Sequence, residues 1–342
     1  MRILITGGAG YFGTLLTDEL LKRGHECRVF DLNAPDAPLE GMEVIRGDIR
    51  DKDAVRKVCQ GIDIIHHNVA QVPLAKDKRL FHEVNYDGTA HLLDAALDVG
   101  VGKVIYTSSS AVFGVPKKNP VNEQSEPNPM EAYGKAKYQA EHLCHEFVKR
   151  GLDISIIRPR TIMGHGRLGI FQILFEWVRE GYNVPVLGSG DNLYQFIHAS
   201  DLASACIKAG ETSGPEIFNC GASVFGSMRE VLEDLCAYAA TGSRVRSLPM
   251  APIVAGMKLT SALGLSPLGA YHSLMYGRSM YFDIEKATKQ LNWQPKFSNT
   301  EMFIESYKWY LDNRGKVYAN AGNSPHKSAV NQRLLGLVKY LL

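Results

Sequence analysis

The apolar positions of this chain fall into short runs separated by glycines, then into helical spacing, and the two patterns alternate. Arg2 to Thr6 is an apolar run that ends in glycines, and Tyr11 to Arg23 follows with Phe12, Leu15, Leu16 and Leu20 on one helical face. The same periodicities predict strands over Cys27–Phe30, Glu43–Arg46, Ile62–His66 and Lys103–Thr107, with helical stretches such as Ala90–Leu97 between them. Strands that alternate with helices in this way form a parallel sheet covered by helices on both faces. Tyr133–Arg150 predicts a further helix and Asp153–Arg158 a further strand, ended by Pro159.

Beyond residue 160 the rhythm loosens. Helical pieces at Phe171–Glu180, Ser227–Ala239 and Glu301–Leu311 are mixed with short strands and turns, which predicts a smaller mixed α/β lobe over the substrate. Phe196–Ala203 reads as a return to the first layer, so the division is interleaved: 1–160 with a return segment at about 190–212, a lobe over 161–312, and a tail over 313–342. In that tail Gly315–Lys327 is polar and turn-rich, and Leu334–Leu342 is a short apolar helix candidate expected to pack on the body.

With 342 residues, 45% of them hydrophobic and 22% charged, the chain can bury a substantial core. The formal net charge is only +2 and both signs are mixed along the chain, so no basic stripe suggests nucleic acid and a small-molecule ligand is expected. The first strand starts at Arg2 and no apolar run reaches the ~18 residues of a membrane-spanning helix, so neither a secretory leader nor an integral membrane segment is expected and the sequence reads as cytoplasmic. Six cysteines (Cys27, Cys59, Cys144, Cys206, Cys220 and Cys236) lack Cys-x-x-Cys spacing and read as reduced, packed thiols. His66, His67 and His198 have no acidic or cysteine partner at ligand spacing, so they are read as structural and no metal is expected.

Two motifs carry the chemistry. After the first strand the run Thr6-Gly7-Gly8-Ala9-Gly10-Tyr11-Phe12-Gly13 has glycines where a tight turn, a pyrophosphate and a close helix–strand contact each need one: Gly7, Gly10 and Gly13. Phosphates would rest on the helix start at Tyr11 and Phe12. Asp31, closing the second strand, can accept from both adenosine ribose hydroxyls and would repel a 2′-phosphate, which favours NAD over NADP; Asp48 and Ile49 would border the adenine. About a hundred residues downstream of that loop, Tyr133 and Lys137 stand four apart on a helix, where the ammonium favours the ionised phenol. A phenol with an ordinary pKa of ~10 needs such a neighbour to act as an acid or base near neutrality. Asn85 reads as a helix cap near the site, and Gln71, Val72 and His165 as loop residues able to face a substrate.

These residues resemble the extended short-chain dehydrogenase/reductase superfamily, in its NAD-dependent epimerase/dehydratase group, over nearly the whole chain to about residue 312. The likeness rests on the glycine loop, Gly47-Asp48-Ile49, His67–Ala70, Asn85–Thr89, Thr107–Gly114, Tyr133–Lys137, Arg158-Pro159 and Phe196–Ala203. It implies a Rossmann doubly wound sheet, bound NAD, and a homodimer built on the helices that hold Ala90 and Tyr133. It adds Val69, Ala70, Asn85, Thr107 and Arg158 to the expected cofactor site and makes Ser109, by its place in the Ser/Thr-x-x-Val-Tyr-Gly pattern, the catalytic hydroxyl beside Tyr133 and Lys137. Sugar 4,6-dehydratases of this group carry an Asp-Glu pair after that hydroxyl, whereas Ser110 and Ala111 stand here, so a nucleoside-diphosphate-sugar 4-epimerase is the first expectation. Many such epimerases have a diphosphate-binding Arg where this chain has Tyr194; Arg160, Arg167 or Arg278 could supply the charge. Gln71, Ser110, Arg160, Tyr194 and Arg278 are therefore the expected substrate residues. The apolar segment Leu248–Met257 with Leu259, Leu263 and Leu265 also resembles the 3β-hydroxysteroid dehydrogenase branch, which leaves a dehydrogenase of an apolar alcohol as the alternative, beside a sugar-nucleotide dehydratase or reductase and a non-catalytic NAD sensor.

Overall fold

The computed structural model describes residues 1–35, 38–71, 79–166, 170–262, 275 and 277–319. Val72, Arg167, Leu263, Leu265 and the helix candidate Leu334–Leu342 lie outside the described residues. In chain order the strands are β1 (Arg2–Thr6), β2 (Glu26–Asp31), β3 (Met42–Arg46), β4 (Ile64–His67), β5 (Lys103–Thr107) and β6 (Ile154–Pro159). Then come β7 (Thr161–Met163), β8 (Val184–Leu187), β9 (Phe196–His198), β10 (Ile217–Cys220) and β11 (Val245–Leu248). The helices are α1 (Tyr11–Lys22), α2 (Lys52–Val58), α3 (Arg79–His82), α4 (Gly88–Val99), α5 (Ala132–Lys149) and α6 (Ile170–Arg179). They continue with α7 (Ala199–Gly210), α8 (Met228–Ala239), α9 (Met250–Ala262), α10 (Glu285–Gln290) and α11 (Asn299–Ala319).

Seven strands form one parallel sheet in the order β10-β6-β5-β4-β1-β2-β3. Chain order reverses between β1 and β4, and in open sheets of this kind ligands bind at the carboxyl ends of the strands beside that switch. One face is packed by α1 and α7 through Leu16, Leu20, Leu202 and Cys206. The other is packed by α2, α4 and α5 through Val55, Leu92, Leu93, Ala140 and Phe147. Strands buried on both faces need continuous apolar runs, which is why Ile3-Leu4-Ile5 and Val104-Ile105-Tyr106 do not alternate.

A third core, containing Phe175, Trp177, Val186, Leu235 and Tyr310, joins α6, α8 and α11 to the two-stranded β8/β11 sheet. A fourth, small cluster of Val112, Phe113, Val121, Met280 and Phe282 lies between the turn after β5 and the segment before α10. α11 runs to Ala319, past the point where a turn-rich tail was expected. Its end is held by Arg314, which pairs with buried Glu176 at 2.7 Å, and by buried Val317. Strand β6 likewise keeps Pro159 in register with Cys220 instead of stopping before it. Among the described residues no helix is long and apolar enough to cross a membrane.

Candidate active site

At the end of β1 the chain turns through Gly7, whose φ of 71° favours glycine and whose Cβ position lies 2.9 Å from the Val69 nitrogen. A Cβ on Gly13 would collide with the Gly7 carbonyl, so α1 can start this close to β1 only with glycine there. Helix α1 begins after Gly10 with no side-chain cap and no acidic residue in its first turn. The N–H groups of its first turn and its positive dipole end suit an anion such as a pyrophosphate. The side chains of Tyr11 and Phe12 are buried in the core below, so only their backbone N–H groups are available to that anion.

Asp31 is half-buried at the end of β2 and holds the loop: Oδ2 accepts from the Ala9 N–H at 3.2 Å and Oδ1 from Asn33 N–H at 3.0 Å. Each oxygen keeps a lone pair for a ribose hydroxyl. Asp48 is gripped by Arg50, with Nη2 at 2.6 Å, and that guanidinium holds its carboxyl below the usual range. Ile49 is buried with its side chain against Gly88. Val69 and Ala70 are half-buried on the turn after β4, against Gly7. The donor set and the glycine cradle therefore fit a dinucleotide.

Asn85 is not a helix cap. It lies in a single π-helical segment, Glu83–Asp87, and clamps the turn that follows β4: Gln71 N–H donates to its Oδ1 at 2.7 Å and its Nδ2 donates to the Gln71 carbonyl at 3.1 Å. π-bulges of this type frequently mark functional sites.

The candidate acid/base residues stand where β5 ends and α5 begins. Glu131 caps α5 by accepting from the Tyr133 and Gly134 N–H groups at 2.8 and 2.6 Å, a cap the sequence reading missed although the residue stands where an N-cap belongs. Gly134 lies so close to the turn after β5 that a Cβ on it would be 2.5 Å from the Ala111 carbonyl oxygen. That approach brings Tyr133 to the turn opened by Ser109, whose Oγ accepts from the Ala111 N–H at 3.2 Å. The Tyr133 ring packs edge-on to Phe81 with centroids 6.3 Å apart.

One helical turn on, Lys137 is 2% exposed and donates to the Thr107 carbonyl at 2.7 Å, with its ammonium 4.7 Å over the Tyr106 ring. Burial pulls its pKa down from 10.5 to about 8. The Thr107 hydroxyl donates to Asn68 Oδ1 at 2.7 Å, which ties β5 to the turn after β4. Ser110 is buried within the same turn.

Arg158 is not presented to the cofactor loop. Its Nε and Nη2 are bound to Glu141 at 2.9 and 2.6 Å, and Ser108 donates to the same carboxylate at 2.6 Å, all of it buried beneath the turn that carries Ser109. Glu141 was invisible to motif reading because its partner is 17 residues away on the neighbouring strand. Arg160, two residues later, is buried with its guanidinium 4.6 Å over the Tyr194 ring, and the Tyr194 hydroxyl hydrogen-bonds Thr161 Oγ1 at 2.9 Å. Gln71 is half-buried, held by Asn85. Arg278 is exposed at a turn on Met275.

Of the three histidines, His67 bridges Thr6 and Thr89 at 2.7 and 2.9 Å, and His198 caps α7 through Nδ1 and lies 3.2 Å from Glu305, which also meets His165 at 2.8 Å. Burial pushes the pKa of His67 down to about 3.

The NAD dependent epimerase/dehydratase family matches residues 3–221 of this chain. The chain belongs to that family. It is 54% identical to an uncharacterised protein of Sinorhizobium fredii, over 99% of this chain and 86% of that one. It is 27% identical to a UDP-glucose 4-epimerase of Mycolicibacterium smegmatis, over 91% of this chain and 98% of the relative. A 3 beta-hydroxysteroid dehydrogenase/Delta 5→4-isomerase of Mycobacterium tuberculosis is 30% identical over 91% of this chain and 90% of that protein. Among solved structures, the UDP-glucose 4-epimerase of Thermotoga maritima superposes with a TM-score of 0.78, covering 92% of this chain and 100% of that one at 22% identity, so the shared Rossmann architecture is a property of the fold.

Proposed function

We propose that this family member is a nucleoside-diphosphate-sugar 4-epimerase that keeps NAD through the whole catalytic cycle. The glycine turn of Gly7, Gly10 and Gly13 and the Asp31 carboxylate would hold NAD, which when bound would supply the hydride acceptor and donor for one carbon of the substrate. Tyr133 removes the proton of the hydroxyl on that carbon, and the Ser109 hydroxyl donates a hydrogen bond to the same oxygen. The buried Lys137 ammonium, fixed on the Thr107 carbonyl, lowers the cost of the Tyr133 phenolate. A planar ketone that turns in the site presents its other face, and Tyr133 gives the proton back as the configuration inverts.

The observation that supports this reading is the close approach of Gly134 to the Ala111 carbonyl, which packs the start of α5 on the turn that Ser109 opens, while Ser110 is buried and Ala111 is apolar. A 4,6-dehydratase needs a further acid and base there to eliminate water, and these side chains supply neither. A second reading, oxidation of an apolar alcohol, is favoured by α9, on which Ala251, Pro252, Ala255 and Gly256 are exposed and Ile253 and Val254 half-buried.

The two separate cleanly in one assay. Protein loaded with NAD is incubated with UDP-, GDP-, CDP- and dTDP-sugars and then with sterols, and both NADH absorbance and sugar configuration are followed. Inversion without NADH accumulation is expected; stoichiometric NADH with sterols alone would overturn the epimerase.

A further inference from the structure

Strand β6 and its exit carry two buried arginines, and the fold treats them differently. Arg158 has its carboxylate, Glu141. Arg160 is 1% exposed, and among the described residues its Nε, Nη1 and Nη2 have no hydrogen-bond partner. What surrounds it is aromatic: the guanidinium lies 4.6 Å over the Tyr194 ring and 5.6 Å from the Phe282 ring centroid. A π-face attracts a cation but accepts no in-plane N–H bonds, so five donors in a fixed fork are left unanswered.

A guanidinium cannot escape this position by losing its proton. Burying it without an acceptor is among the more destabilising arrangements a protein can hold, and the chain supplies an acceptor for Arg158 only two residues away. Such a group is compensated when something else brings the charge. Arg160 leaves the carboxyl end of β6 with its N–H on the Cys220 carbonyl, one strand over from β5, which ends at Thr107 just before the turn opened by Ser109.

We infer that Arg160 is a receptor for an oxyanion of the substrate, matched by the planar guanidinium fork. The chemistry is that of a phosphate or a carboxylate, both of which accept paired N–H bonds in one plane. Two parts of a nucleotide sugar can supply it: the diphosphate link or a carboxylate on the sugar ring. The Tyr194 ring is the cover. It is half-buried and tethered through its hydroxyl to Thr161 Oγ1, and it turns aside as the anion enters. This rests on the sugar-nucleotide reading only for the source of the anion, not for the receptor itself.

The test uses probes that need no turnover. Protein saturated with NAD is melted in the presence of pyrophosphate, glucuronate or glucose, for the wild type, Arg160→Met and Arg160→Lys. A rise of several degrees for the wild type with pyrophosphate assigns Arg160 to the diphosphate, and a rise with glucuronate alone assigns it to a ring carboxylate. In either case Arg160→Met should show no rise, Arg160→Lys a smaller one, and glucose should do nothing. Without ligand, Arg160→Met should melt at or above the wild-type temperature, because a solitary buried charge has been removed. The inference is overturned if no anion stabilises the wild type, if wild type and Arg160→Met respond alike, or if the ligand-free Met variant melts well below the wild type. An anion response that depends on Arg160, in a protein that inverts no sugar nucleotide, would refute the epimerase and leave the receptor standing.

Discussion

Replacing Lys137 with Met should change stability in a way that depends on pH, and the size follows from burial. In the unfolded chain this ammonium titrates near 10.5; in the folded protein burial brings it to about 8. Between those values the unfolded state binds more protons than the native state, so stability rises with pH in that window, relative to a variant without the ammonium. Below pH 8 the ammonium is charged in both states and the full penalty is present, about 3 kcal/mol from the spacing of the two values. At pH 9.5 the native group is mostly neutral and the unfolded one mostly charged, which recovers about 2 kcal/mol of it. Urea unfolding of NAD-free protein with Lys137 and with Lys137→Met, under reducing conditions at pH 7 and pH 9.5, reads the difference directly. The protein that keeps Lys137 should gain about 2 kcal/mol on the Met variant between the two pH values. Both proteins carry Tyr133→Phe, which removes the phenol coupled to this ammonium, so the tyrosines, cysteines and lysines remote from position 137 titrate alike in the two and cancel. A difference that stays constant would refute the depressed ammonium, and one that moves the other way would mean that an anion already pairs with Lys137 in the empty site.

Tyr133→Phe should lower turnover by at least ~10²-fold, the scale of a lost general acid/base, while NAD binding measured by fluorescence titration stays within about twofold. Gly134→Ala places a methyl 2.5 Å from the Ala111 carbonyl and must push α5 off the Ser109 turn; kcat should drop by ~10-fold or more with the melting temperature changed much less, since misplacement of reacting groups is felt first in rate. Glu141→Gln leaves Arg158 buried beside a neutral amide and should cost about 3 kcal/mol of unfolding free energy, measured by chemical denaturation, although Glu141 is buried beneath the turn and not in the cleft.

The sheet was legible because a parallel, doubly covered sheet writes itself as unbroken apolar runs between amphipathic helices, and Lys103–Thr107 was read to the residue. The glycine loop was equally plain, since a backbone contact as close as Gly13 on Gly7 tolerates no other residue type. Partnerships between distant residues were not readable. Nothing local distinguishes Arg158, which pairs with Glu141, from Arg160, which has no hydrogen-bond partner among the described residues; the difference lies in what the neighbouring helix and lobe bring to each. Asn85 looked like a cap because Asn commonly is one, and only the π-helical turn aims its amide at Gln71 instead. The extension of α11 past Gly315 was hidden for a similar reason: tertiary contacts from Arg314 and Val317 outweigh a local sequence that favours a turn.

Hydride that leaves and returns to a single carbon, with Tyr133 moving the proton, can be followed by isotope. A nucleotide sugar carrying deuterium at C4 is incubated with the NAD-loaded protein in ordinary water, and the epimerised product is analysed by NMR and mass spectrometry. Deuterium kept at C4 of the inverted sugar, with none released to solvent or to free cofactor, is the predicted result. Product whose C4 has taken a proton from water, or label accumulating in dissociated NADH, would contradict it.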